Sequence, residues 1–395
     1  MNNYLLVINA GSSSIKFAIY KKSHSGQLKA DVTGQMEAIG SQPHLIVQDS
    51  QRVVLVDLVA TVDETPDHAS AMTIISTWVK AYFTEGTLLA IGHRVVHGGQ
   101  YYSAPVLIDD KVLTELESLI PLAPLHQPHN LAAIRVLRQA MPSVPQVACF
   151  DTAFHCTQPE VAKRLAIPRR FAEEGIRGYG FHGLSYEYMT YRLPALEPKL
   201  KEARIIVAHL GNGASLCALQ NGRSVATTMS FSPLDGLVMG TRCGNLDPSV
   251  LIYLMDHYHM DARALEDLLY HKSGLLGISE ISSDMRTLLA SKEPRALEAI
   301  ESFVYRIGRE IGSLAAALGG LDALVFTGGI GEHSPLIRTK ICLHAAWLGL
   351  EIDQTENDNA ATRISTIDSK LSVLVVPTDE NFMIAQHTRQ LVGIT

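Results

Sequence analysis

Cysteine is scarce in this sequence, and its spacing is uninformative for metal binding. The 395 residues include Cys149, Cys156, Cys217, Cys243 and Cys342, an odd number with no C-x-x-C pair. A disulfide framework and a thiolate zinc site are both excluded as the organising feature. We expect the cysteines to be small buried residues of a protein in a reducing cytoplasm.

An excess of positive charge is also absent. Lys and Arg together number 33 against 40 for Asp and Glu, which gives a formal net charge of −7. Nucleic-acid backbones and anionic membranes are bound by clustered Lys and Arg. We therefore expect neither nucleic acid nor membrane among the partners of this protein.

Long hydrophobic runs are missing as well. The most apolar region, 313–326, is interrupted by Gly319, Gly320 and Asp322, whereas a membrane-spanning helix needs about 20 apolar residues. No cationic segment precedes the first apolar run, so a secretory signal is not predicted. With 47% hydrophobic and 18% charged residues, the composition is that of an ordinary globular protein. We expect the protein to be soluble and cytoplasmic.

Several familiar nucleotide and metal motifs are absent or misleading. No G-x-x-x-x-G-K-[ST] sequence occurs, so a nucleotide would not be held by a Walker loop. Residues 178–183 match G-x-G-x-x-G, but the polar stretch 173–177 before them is not a buried strand, and we reject a dinucleotide fingerprint. His93 and His97 have zinc-helix spacing without a Glu partner, which favours structural or substrate-side histidines.

The most informative feature that is present is a glycine and serine turn between two apolar runs, at residues 9–16. Backbone N–H groups at Gly11, the hydroxyls from Ser12 to Ser14 and the Lys16 ammonium can converge on phosphate oxygens. Asn9 can hold a metal ion or its water. An ordinary serine-rich hairpin loop is the alternative interpretation.

The same plan occurs again at residues 204–219, where Gly211 lies 200 positions after Gly11. Two such hairpins at equivalent places predict a duplicated α/β fold with a nucleotide in the cleft between the halves. Chance similarity of two strand-turn-strand units is the competing interpretation.

Short apolar runs alternate with helical patterns, as in α/β proteins. The predicted strands are 88–91 before Gly92, 144–150 before Asp151, 323–326 before Gly328 and 371–376 before Pro377. Because chemistry gathers past the carboxyl ends of such strands, the polar residues that follow them are site candidates.

Apolar residues at spacings of three and four predict a helix over about 294–318, ended by Gly319 and Gly320. Its apolar stripe is a core face, or less favourably a dimer face. The only linker candidates are 41–50 and 354–365, and the first domain is expected to end near Asp151.

Further short segments combine glycine turns with one or two charged residues in apolar surroundings, which is typical of a closed anionic pocket. They are 93–99, 151–155, 180–183, 236–244, 283–286 and 327–333. The last of these is a strand-to-helix turn suited to a nucleoside or phosphate.

These motifs, taken in order, resemble the acetate kinase family, within the superfamily of acetate and sugar kinases, heat-shock ATPases and actin. They are N-A-G-S-S-S-x-K, H-R-V-V-H-G-G, D-T-A-F-H, G-F-H-G, H-L-G-N-G-A-S, M-G-T-R-x-G, S-S-D-M-R, G-G-I-G-E and P-T-D-E. The resemblance covers essentially the whole chain.

The resemblance implies two duplicated ribonuclease-H-like domains of the actin-like ATPase type with a nucleotide cleft between them. They would comprise residues 1–150 with a C-terminal helix at about 379–395, and residues 151–378. The implied activity is reversible Mg²⁺-dependent phosphoryl transfer from ATP to acetate, giving acetyl phosphate and ADP, in a homodimer.

Carried onto this sequence, the family's roles assign the site as follows. Arg94, Asp151, His182 and Arg242 are catalytic, and Arg94, Val96, Leu125, His126 and Pro233 bind the substrate. Asn9 and Glu380 hold Mg²⁺ or Mn²⁺. ATP or ADP is bound by Ser12, Lys16, His209, Leu210, Gly211, Asn212, Gly213, Asp284, Met285, Arg286, Gly329, Ile330, Gly331, Glu332 and His333.

Two of these assignments have a physical argument of their own. A loose phosphoryl transition state spreads negative charge that guanidinium groups, an imidazole and a metal can offset. A carboxylate substrate is already ionised near neutral pH, so Asp151 is better suited to orienting an arginine or metal-bound water than to general base catalysis. A helix N-cap is the structural alternative for Asp151.

Two positions depart from the family pattern. His333 stands where an asparagine is usual, and Asn381 stands where a second glutamate usually follows Glu380. The first is expected to alter contacts near the nucleotide, and the second removes one charge beside the metal.

Three further possibilities stay open. Val96 leaves room for a methyl group, so acetate is expected before propionate or another short carboxylate. A conformational ATPase module of the heat-shock or actin type has no use for Arg94, His182 and Arg242 beyond the γ-phosphate. A sugar kinase would need polar groups to read a sugar ring, and the apolar residues 95–96 and 233–234 argue against it.

Overall fold

The computed structural model describes residues 2–11, 14–22, 28–83 and 86–394, which form two compact units. The first unit comprises residues 1–154 and 379–395, and the second comprises residues 155–378. Each unit is built on one sheet. Among the described residues, every helix is too short or too polar to cross a bilayer.

The first sheet contains mostly antiparallel strands, with parallel pairing at its centre. In its described part the strands are β1 (Asn2–Ala10), β2 (Ile15–Lys22), β3 (Leu28–Glu37), β4 (His44–Asp49), β5 (Val54–Val59), β6 (Gly86–Val95), β7 (Val106–Leu107) and β8 (Gln146–Phe150). Their spatial order is β5-β4-β3-β2-β1-β6-β8-β7. The helices of this unit are α1 (His68–Tyr82), α2 (Asp110–Ser118), α3 (Gln127–Ala140) and α15 (Glu380–Leu391).

The two faces of β1 are covered by different helices. Leu6 and Ile8 belong to a core that includes residues of α1 and α3. Because side chains alternate along a strand, Asn9 is on the opposite face. That face is covered by α15, which packs against β1, β6 and β8. The sequence of β1 therefore places Asn9 on the side of the C-terminal helix.

The second sheet has the order β11-β10-β9-β12-β13. Its strands are β9 (Arg204–Leu210), β10 (Ala214–Gln220), β11 (Arg223–Thr227), β12 (Ala323–Thr327) and β13 (Ser372–Val375). The helices of this unit are α4 (Glu160–Lys163), α5 (Arg169–Glu173), α6 (Gly183–Leu196), α7 (Pro248–Tyr258), α8 (Ala262–His271), α9 (Gly274–Ser279), α10 (Met285–Ala290), α11 (Pro294–Leu318), α12 (Gly328–His333), α13 (Pro335–His344) and α14 (Gln354–Asp358).

The strand order shows the duplication directly. In the first sheet β3-β2-β1 are antiparallel neighbours and β1-β6-β8 are parallel neighbours. In the second, β11-β10-β9 are antiparallel and β9-β12-β13 are parallel. The predicted duplicated α/β fold, of the ribonuclease-H-like and actin-like ATPase type, is confirmed.

Most of the elements predicted from the sequence are present. The two glycine hairpins are the antiparallel pairs β1–β2 and β9–β10. The long predicted helix is α11, which begins with proline and ends at Gly319 in the left-handed conformation with a φ of 68°. From Ile300 onwards its apolar stripe is buried, so the core interpretation holds for that face, whereas Leu297 is 51% exposed.

Three local predictions are wrong. The strand predicted to end before Gly92 continues to Val95, because Gly92 is a place of close approach: a Cβ there would lie 2.2 Å from Thr388 Oγ1 of α15. The linker candidates 41–50 and 354–365 contain β4 and α14. In β4 the buried Leu45 and Val47 alternate with more exposed residues, a strand pattern that polar flanks concealed.

Candidate active site

The first unit gathers polar side chains where its central parallel strands end. Asn9 and Arg94 are the residues before the last in β1 and β6, and Asp151 directly follows β8. The carboxyl ends of parallel strands meet at one edge of a sheet. Glu380, the first residue of α15, completes the group.

Arg94 is the centre of this group. Its Nε donates to both oxygens of Asp151 at 3.0 and 3.1 Å, and its Nη2 lies 2.5 Å from Oδ2. Its Nη1 donates to Asn9 Oδ1 at 3.2 Å, and Asn9 Nδ2 in turn donates to Glu380 Oε2 at 3.0 Å. The guanidinium is thus oriented on two sides by neighbouring residues.

The Arg94–Asp151 pair is largely removed from solvent, with 16% of the arginine side chain and 2% of the aspartate side chain exposed. Burial alone would lower the pKa of Arg94, but the nearby Asp151 and Glu380 carboxylates outweigh it and raise that pKa. A bidentate arginine–carboxylate pair of this kind fixes the plane of the guanidinium. Asp151 acts here as an acceptor for Arg94, and no helix N-cap bond from Asp151 occurs among its described contacts.

The family resemblance implies Mg²⁺, and the donor types fit it. Mg²⁺ is usually held by one or two carboxylates, with water and phosphate oxygens completing its octahedron. Glu380 offers such a carboxylate, and the Asn9 amide is hydrogen-bonded to it. Among the described residues, no cluster of three or more His, Cys, Asp or Glu side chains is arranged as a metal site.

Lys16 lies directly opposite Asn9 in the β1–β2 pairing. Its exposed side chain lines a groove of about 280 Å³ together with Gln35, Glu37 and Asn381. Asn381 is one of the two departures from the family pattern, and its buried Oδ1 has no hydrogen-bond partner among the described residues. Ser12, predicted to bind phosphate, lies outside the described residues.

The predicted substrate residues are divided between the units. Val96 is 2% exposed and follows β6, with its N–H donating to Asn130 Oδ1. Leu125 and His126 are half-buried at the start of α3. Pro233 belongs to the second unit, where its carbonyl accepts from Arg242 Nη1 at 2.8 Å.

In the second unit, two predicted catalytic side chains converge at the β9–β10 turn. A Cβ built on Gly213 would lie 3.5 Å from Arg242 Nη2 and 3.5 Å from His182 Nε2. Arg242 is positioned by the Pro233 carbonyl and by Met239 Sδ, 3.6 Å away. A guanidinium and an imidazole nitrogen therefore border the same small space above Gly213.

His182 is held from several sides. Its backbone is left-handed, with a φ of 57°, and it forms the N-cap of α6. Its Nδ1 lies 2.9 Å from Ser215 Oγ, and its ring stacks on His209 with centroids 4.3 Å apart. His209 Nδ1 in turn lies 2.8 Å from Ser185 Oγ. The left-handed turn and these contacts fix the direction in which Nε2 points.

The predicted nucleotide segments approach one another around the same turn. A Cβ built on Gly211 would be 4.0 Å from the Gly329 backbone nitrogen. A Cβ built on Gly240 would lie 1.9 Å from Asn212 Oδ1, so Gly240 and Asn212 are also close together. Gly329 itself has no atom within 4 Å of its hypothetical Cβ, so the first turn of α12 borders open space. Leu210 is buried at the end of β9 beneath this turn.

Asp284 and Arg286 form a local pair at the start of α10. Asp284 caps the helix by accepting from the Arg286 N–H, and the Arg286 guanidinium donates to both of its oxygens. This hydrogen bonding lowers the pKa of Asp284 to about 2. The Arg286 side chain is 91% exposed, and Met285 is buried beneath it.

The remaining nucleotide candidates lie in α12. Glu332 Oε1 accepts from the Gly328 N–H at 2.8 Å and from the Thr378 N–H at 3.4 Å, so this carboxylate shapes the turn. Gly331 is buried and Ile330 is half-buried. His333, the second departure from the family pattern, is exposed at the end of the helix.

Several supporting residues were not singled out from the sequence. Asn130 Nδ2 donates to the Ala10 carbonyl at 2.8 Å, and His68 Nε2 lies 2.8 Å from the Gly11 carbonyl. They hold the backbone of the first glycine turn from α3 and α1. Nothing in their local sequence indicates this, because the partners are 57 to 120 positions away.

Comparison with known proteins decides among the possible kinases and ATPases. A family model described as the acetokinase family matches residues 4–386. The chain belongs to the acetokinase family.

Relatives within the family cover the whole chain. An acetate kinase of Rhodopseudomonas palustris is 53% identical over 397 residues, covering 99% of both chains. A propionate kinase structure from Francisella tularensis has a TM-score of 0.89 at 39% identity, covering 98% of this chain and 99% of that one. An acetate kinase structure from Porphyromonas gingivalis has a TM-score of 0.86 at 36% identity, covering 99% and 100%.

Membership of the acetokinase family confirms the resemblance inferred from the ordered motifs, and with it the expectation of a phosphotransferase whose acceptor is a carboxyl group. The full-length structural similarity also supports the duplicated fold. The roles of individual residues remain predictions, which the geometry above makes specific enough to test.

Proposed function

We propose that this protein catalyses reversible phosphoryl transfer from ATP to acetate, giving acetyl phosphate and ADP. The observation that carries the proposal is the convergence of Arg242 and His182 Nε2 on one space above Gly213. Two donors aimed at one point are suited to the charge on a migrating phosphoryl group. The family assignment supports the same chemistry.

The acceptor carboxylate is proposed to bind at Arg94. A guanidinium presents paired donors that match a carboxylate, and Asp151 holds the orientation of this one. Asn9 restrains its Nη1 end. This placement supports both predicted roles of Arg94, substrate binding and catalysis.

The reaction needs no general base at the acceptor. An acetate oxygen forms a bond to the γ-phosphorus while the bond between that phosphorus and the β,γ-bridging oxygen breaks, and ADP leaves with that electron pair. Acetate is already ionised near neutral pH, so no proton has to be removed from it. Asp151 is therefore proposed to orient Arg94 rather than to accept a proton.

ATP is proposed to bind along the glycine turns of the second unit. Lys16 is proposed to bind phosphate, as predicted from its sequence motif. Gly329 has open space where a side chain would lie, and its backbone nitrogen is 4.0 Å from a Cβ built on Gly211. Glu380 and Asn9 would hold Mg²⁺, or Mn²⁺ in its place. When bound, that ion neutralises part of the phosphate charge.

A second candidate acceptor is propionate. It is favoured by the 39% identity to the propionate kinase of Francisella tularensis over 98% of this chain. One methylene contributes only about 1–3 kcal/mol of discrimination in an apolar pocket. We therefore expect acetate to be preferred and propionate to be a weaker substrate.

The proposed function is tested by incubating the protein with Mg-ATP and acetate, propionate, butyrate or glycerol, and trapping acyl phosphate with hydroxylamine. Hydroxamate formed with the acids, and no ATP-dependent phosphorylation of glycerol, is the expected result. ATP hydrolysis without hydroxamate would instead indicate a conformational ATPase. Faster product formation with propionate than with acetate would make propionate the substrate.

We further propose a homodimer in the cytoplasm, where ATP is available. The family resemblance implies the dimer, and α7 offers a surface for it. None of the side chains of α7 is buried, and Ile252 and Tyr258 are 61% and 62% exposed. An apolar helix with this much exposure is typical of an interface.

The dimer is tested by light scattering after size exclusion. The double variant Ile252→Lys with Tyr258→Lys is expected to shift the protein from dimer to monomer, because charge would be buried at the interface. Val161→Lys is the control, since Val161 is an exposed apolar residue elsewhere in the same unit. A monomeric wild-type protein would contradict the proposal.

A further inference from the structure

Behind His182 lies a buried pair of hydroxyl groups. Ser215 Oγ is 2.9 Å from His182 Nδ1 on one side and 2.5 Å from the Tyr186 hydroxyl on the other. Tyr186 and Ser215 are both 0% exposed. The three residues thus form a hydrogen-bonded chain, Tyr186–Ser215–His182, that ends at Nδ1 of the imidazole and leaves Nε2 outside it.

The hydrogen atoms of this chain can be assigned by counting donors and acceptors. Burial raises the pKa of Tyr186 well above its ordinary value, so its hydroxyl keeps its proton. Among the described residues, Ser215 Oγ is the hydrogen-bond partner of that hydroxyl. Since a buried donor without an acceptor is costly, the Tyr186 hydroxyl donates to Ser215 Oγ.

The same reasoning fixes the next proton. Ser215 has one hydroxyl hydrogen and two acceptor positions. With Tyr186 donating to it, Ser215 satisfies its own hydrogen by donating to His182 Nδ1. If His182 Nδ1 instead carried a proton and donated to Ser215, a hydroxyl hydrogen of either Ser215 or Tyr186 would be left buried without an acceptor.

We propose that Tyr186 and Ser215 are positioning residues that hold His182 as the neutral tautomer with its proton on Nε2. An imidazole whose Nδ1 accepts a hydrogen bond carries its proton on the other nitrogen. Nε2 is the atom that borders the space above Gly213, beside Arg242. The chain of hydroxyls therefore supplies a hydrogen-bond donor at that space without a second positive charge there.

This inference rests on the proposed function only for its consequence, since it is in phosphoryl transfer that an Nε2–H donor is useful. The tautomer itself is a property of the protein without substrates. An Nε2–H donor of the neutral ring stabilises a phosphoryl group without adding a charge to the site.

The tautomer is measured by ¹⁵N NMR of the full-length protein labelled at histidine, with the His182 signals identified by their loss in His182→Gln. The wild-type protein is expected to show a protonated Nε2 and an unprotonated Nδ1 at pH 7.5. In Ser215→Ala a mixture of tautomers is expected, whereas Ser215→Thr, which keeps a hydroxyl, retains the wild-type pattern. A protonated Nδ1, or an imidazolium, in the wild-type protein would overturn the inference.

Kinetics give the second readout. Ser215→Ala is expected to lower kcat by roughly 10- to 100-fold, as loss of a group that orients a functional side chain commonly does, with smaller changes in KM for ATP and acetate. Ser215→Thr should recover most of the loss. Tyr191→Phe removes the hydroxyl of an exposed tyrosine on α6, the helix that carries Tyr186, and is the control. Equal kcat in Ser215→Ala and wild type would contradict the positioning role.

Different results would contradict the proposed function and the inference about the His182 tautomer. A glutamine amide nitrogen can occupy the place of Nε2, whereas an asparagine amide corresponds more closely to Nδ1. If His182→Gln and His182→Asn both turn over at the wild-type rate, the assignment of His182 to the chemistry is wrong, whatever the NMR spectrum shows. If both are impaired while the wild-type tautomer is protonated at Nδ1, the proposed function survives and this inference does not.

Discussion

Arg94 shows how one side chain can be held in place before any substrate arrives. Its contacts with Asp151 and Asn9 fix both ends of the guanidinium. Pre-oriented charge costs little reorganisation during a reaction, which is why such groups contribute strongly to catalysis. The role of each contact can be separated by substitution.

Arg94→Ala is expected to lower kcat/KM for acetate by roughly 10³- to 10⁵-fold, the range found for arginines that stabilise phosphoryl transfer. The measurement is steady-state hydroxamate formation, with circular dichroism to confirm folding. Arg242→Ala should cause a loss of the same order. Near-normal turnover in either variant would remove that arginine from the chemistry.

Asp151→Asn distinguishes orientation from proton transfer. The amide keeps an acceptor oxygen for Arg94 but carries no charge, so a smaller loss than in Arg94→Ala is expected if Asp151 orients the guanidinium. The pH profile of kcat should then keep its shape. Loss of an ionisation from that profile would show that Asp151 does transfer a proton.

Val96→Ala is expected to improve propionate relative to acetate by about 10-fold or more, because one methylene is worth roughly 1–3 kcal/mol in an apolar pocket. The ratio of kcat/KM for the two acids is the measurement. Val112→Ala, at a buried core position of the same unit, controls for general loosening. An unchanged ratio would show that Val96 does not limit the substrate.

Among single residues, those inside motifs could be predicted from the sequence, but the residues that hydrogen-bond to them could not. Arg94, Asp151, Asn9 and Glu380 were all proposed, and the structure brings these four together. Their mutual hydrogen bonds could not be inferred, since they depend on strand register and helix position. Asn130 and His68 carry no signature because a single side-chain bond to a distant carbonyl leaves no periodicity in the sequence.

Among the elements, the turn from β12 into α12 places two adjacent glycines in different surroundings. Gly328 has a φ of 78°, and a Cβ there would lie 2.7 Å from the Leu210 carbonyl oxygen. Gly329, its neighbour, has no atom within 4 Å of its hypothetical Cβ. The backbone therefore requires glycine at 328, whereas at 329 it leaves room for a side chain.

Gly328→Ala is expected to reduce the free energy of unfolding by roughly 1–3 kcal/mol, the cost of a left-handed residue with a side chain, and by more if Leu210 cannot shift. Gly329→Ala should leave that free energy unchanged but raise KM for ATP, because a methyl group would enter the open space. Urea unfolding and ATP titration of both variants test this. Equal destabilisation in the two would contradict the assignment.

Elements were predicted best where periodicity and end signals agree. In α11 the apolar stripe, the initial proline and the final glycine pair all indicate the same bounds, and the helix has them. In β6 the glycine suggested an end that does not exist, because close packing against α15 also requires glycine. Local sequence cannot separate these two uses of the residue.

In the molecule as a whole, each unit buries a histidine that burial keeps neutral. His93 in the first unit and His155 in the second have pKa values lowered to about 4 by removal from water. The unfolded chain takes up these protons near pH 6.5, but the folded chain only near pH 4. Stability is therefore lost as the pH falls from 6.5 towards 4.

The contribution of one such histidine can be isolated by difference. Between pH 7.5 and 5.0, the wild-type free energy of unfolding should fall by about 2 kcal/mol more than that of His93→Gln. Urea unfolding at both pH values provides the four free energies. An identical pH dependence in the two proteins would show that His93 is not held neutral by the fold.

The duplicated architecture could be predicted from the sequence because both halves repeat the same strand-turn-strand plan. The matching strand orders could be anticipated from those hairpins only in part, since the pairing of β1 with β6 and of β9 with β12 joins segments far apart in the chain. Parallel pairing across a long connection leaves no local signal. The complete strand order is therefore known only from the structure.

The hydrogen bond between Asn9 and Glu380 spans 371 positions. A ribosome that has translated the first strand must therefore add most of the polypeptide before this corner of the molecule can exist. Until α15 has been made, the face of β1, β6 and β8 that it covers has no helix packed against it. A chain that ends before Glu380 lacks both this carboxylate and the helix that covers the face of the sheet on which Asn9 lies.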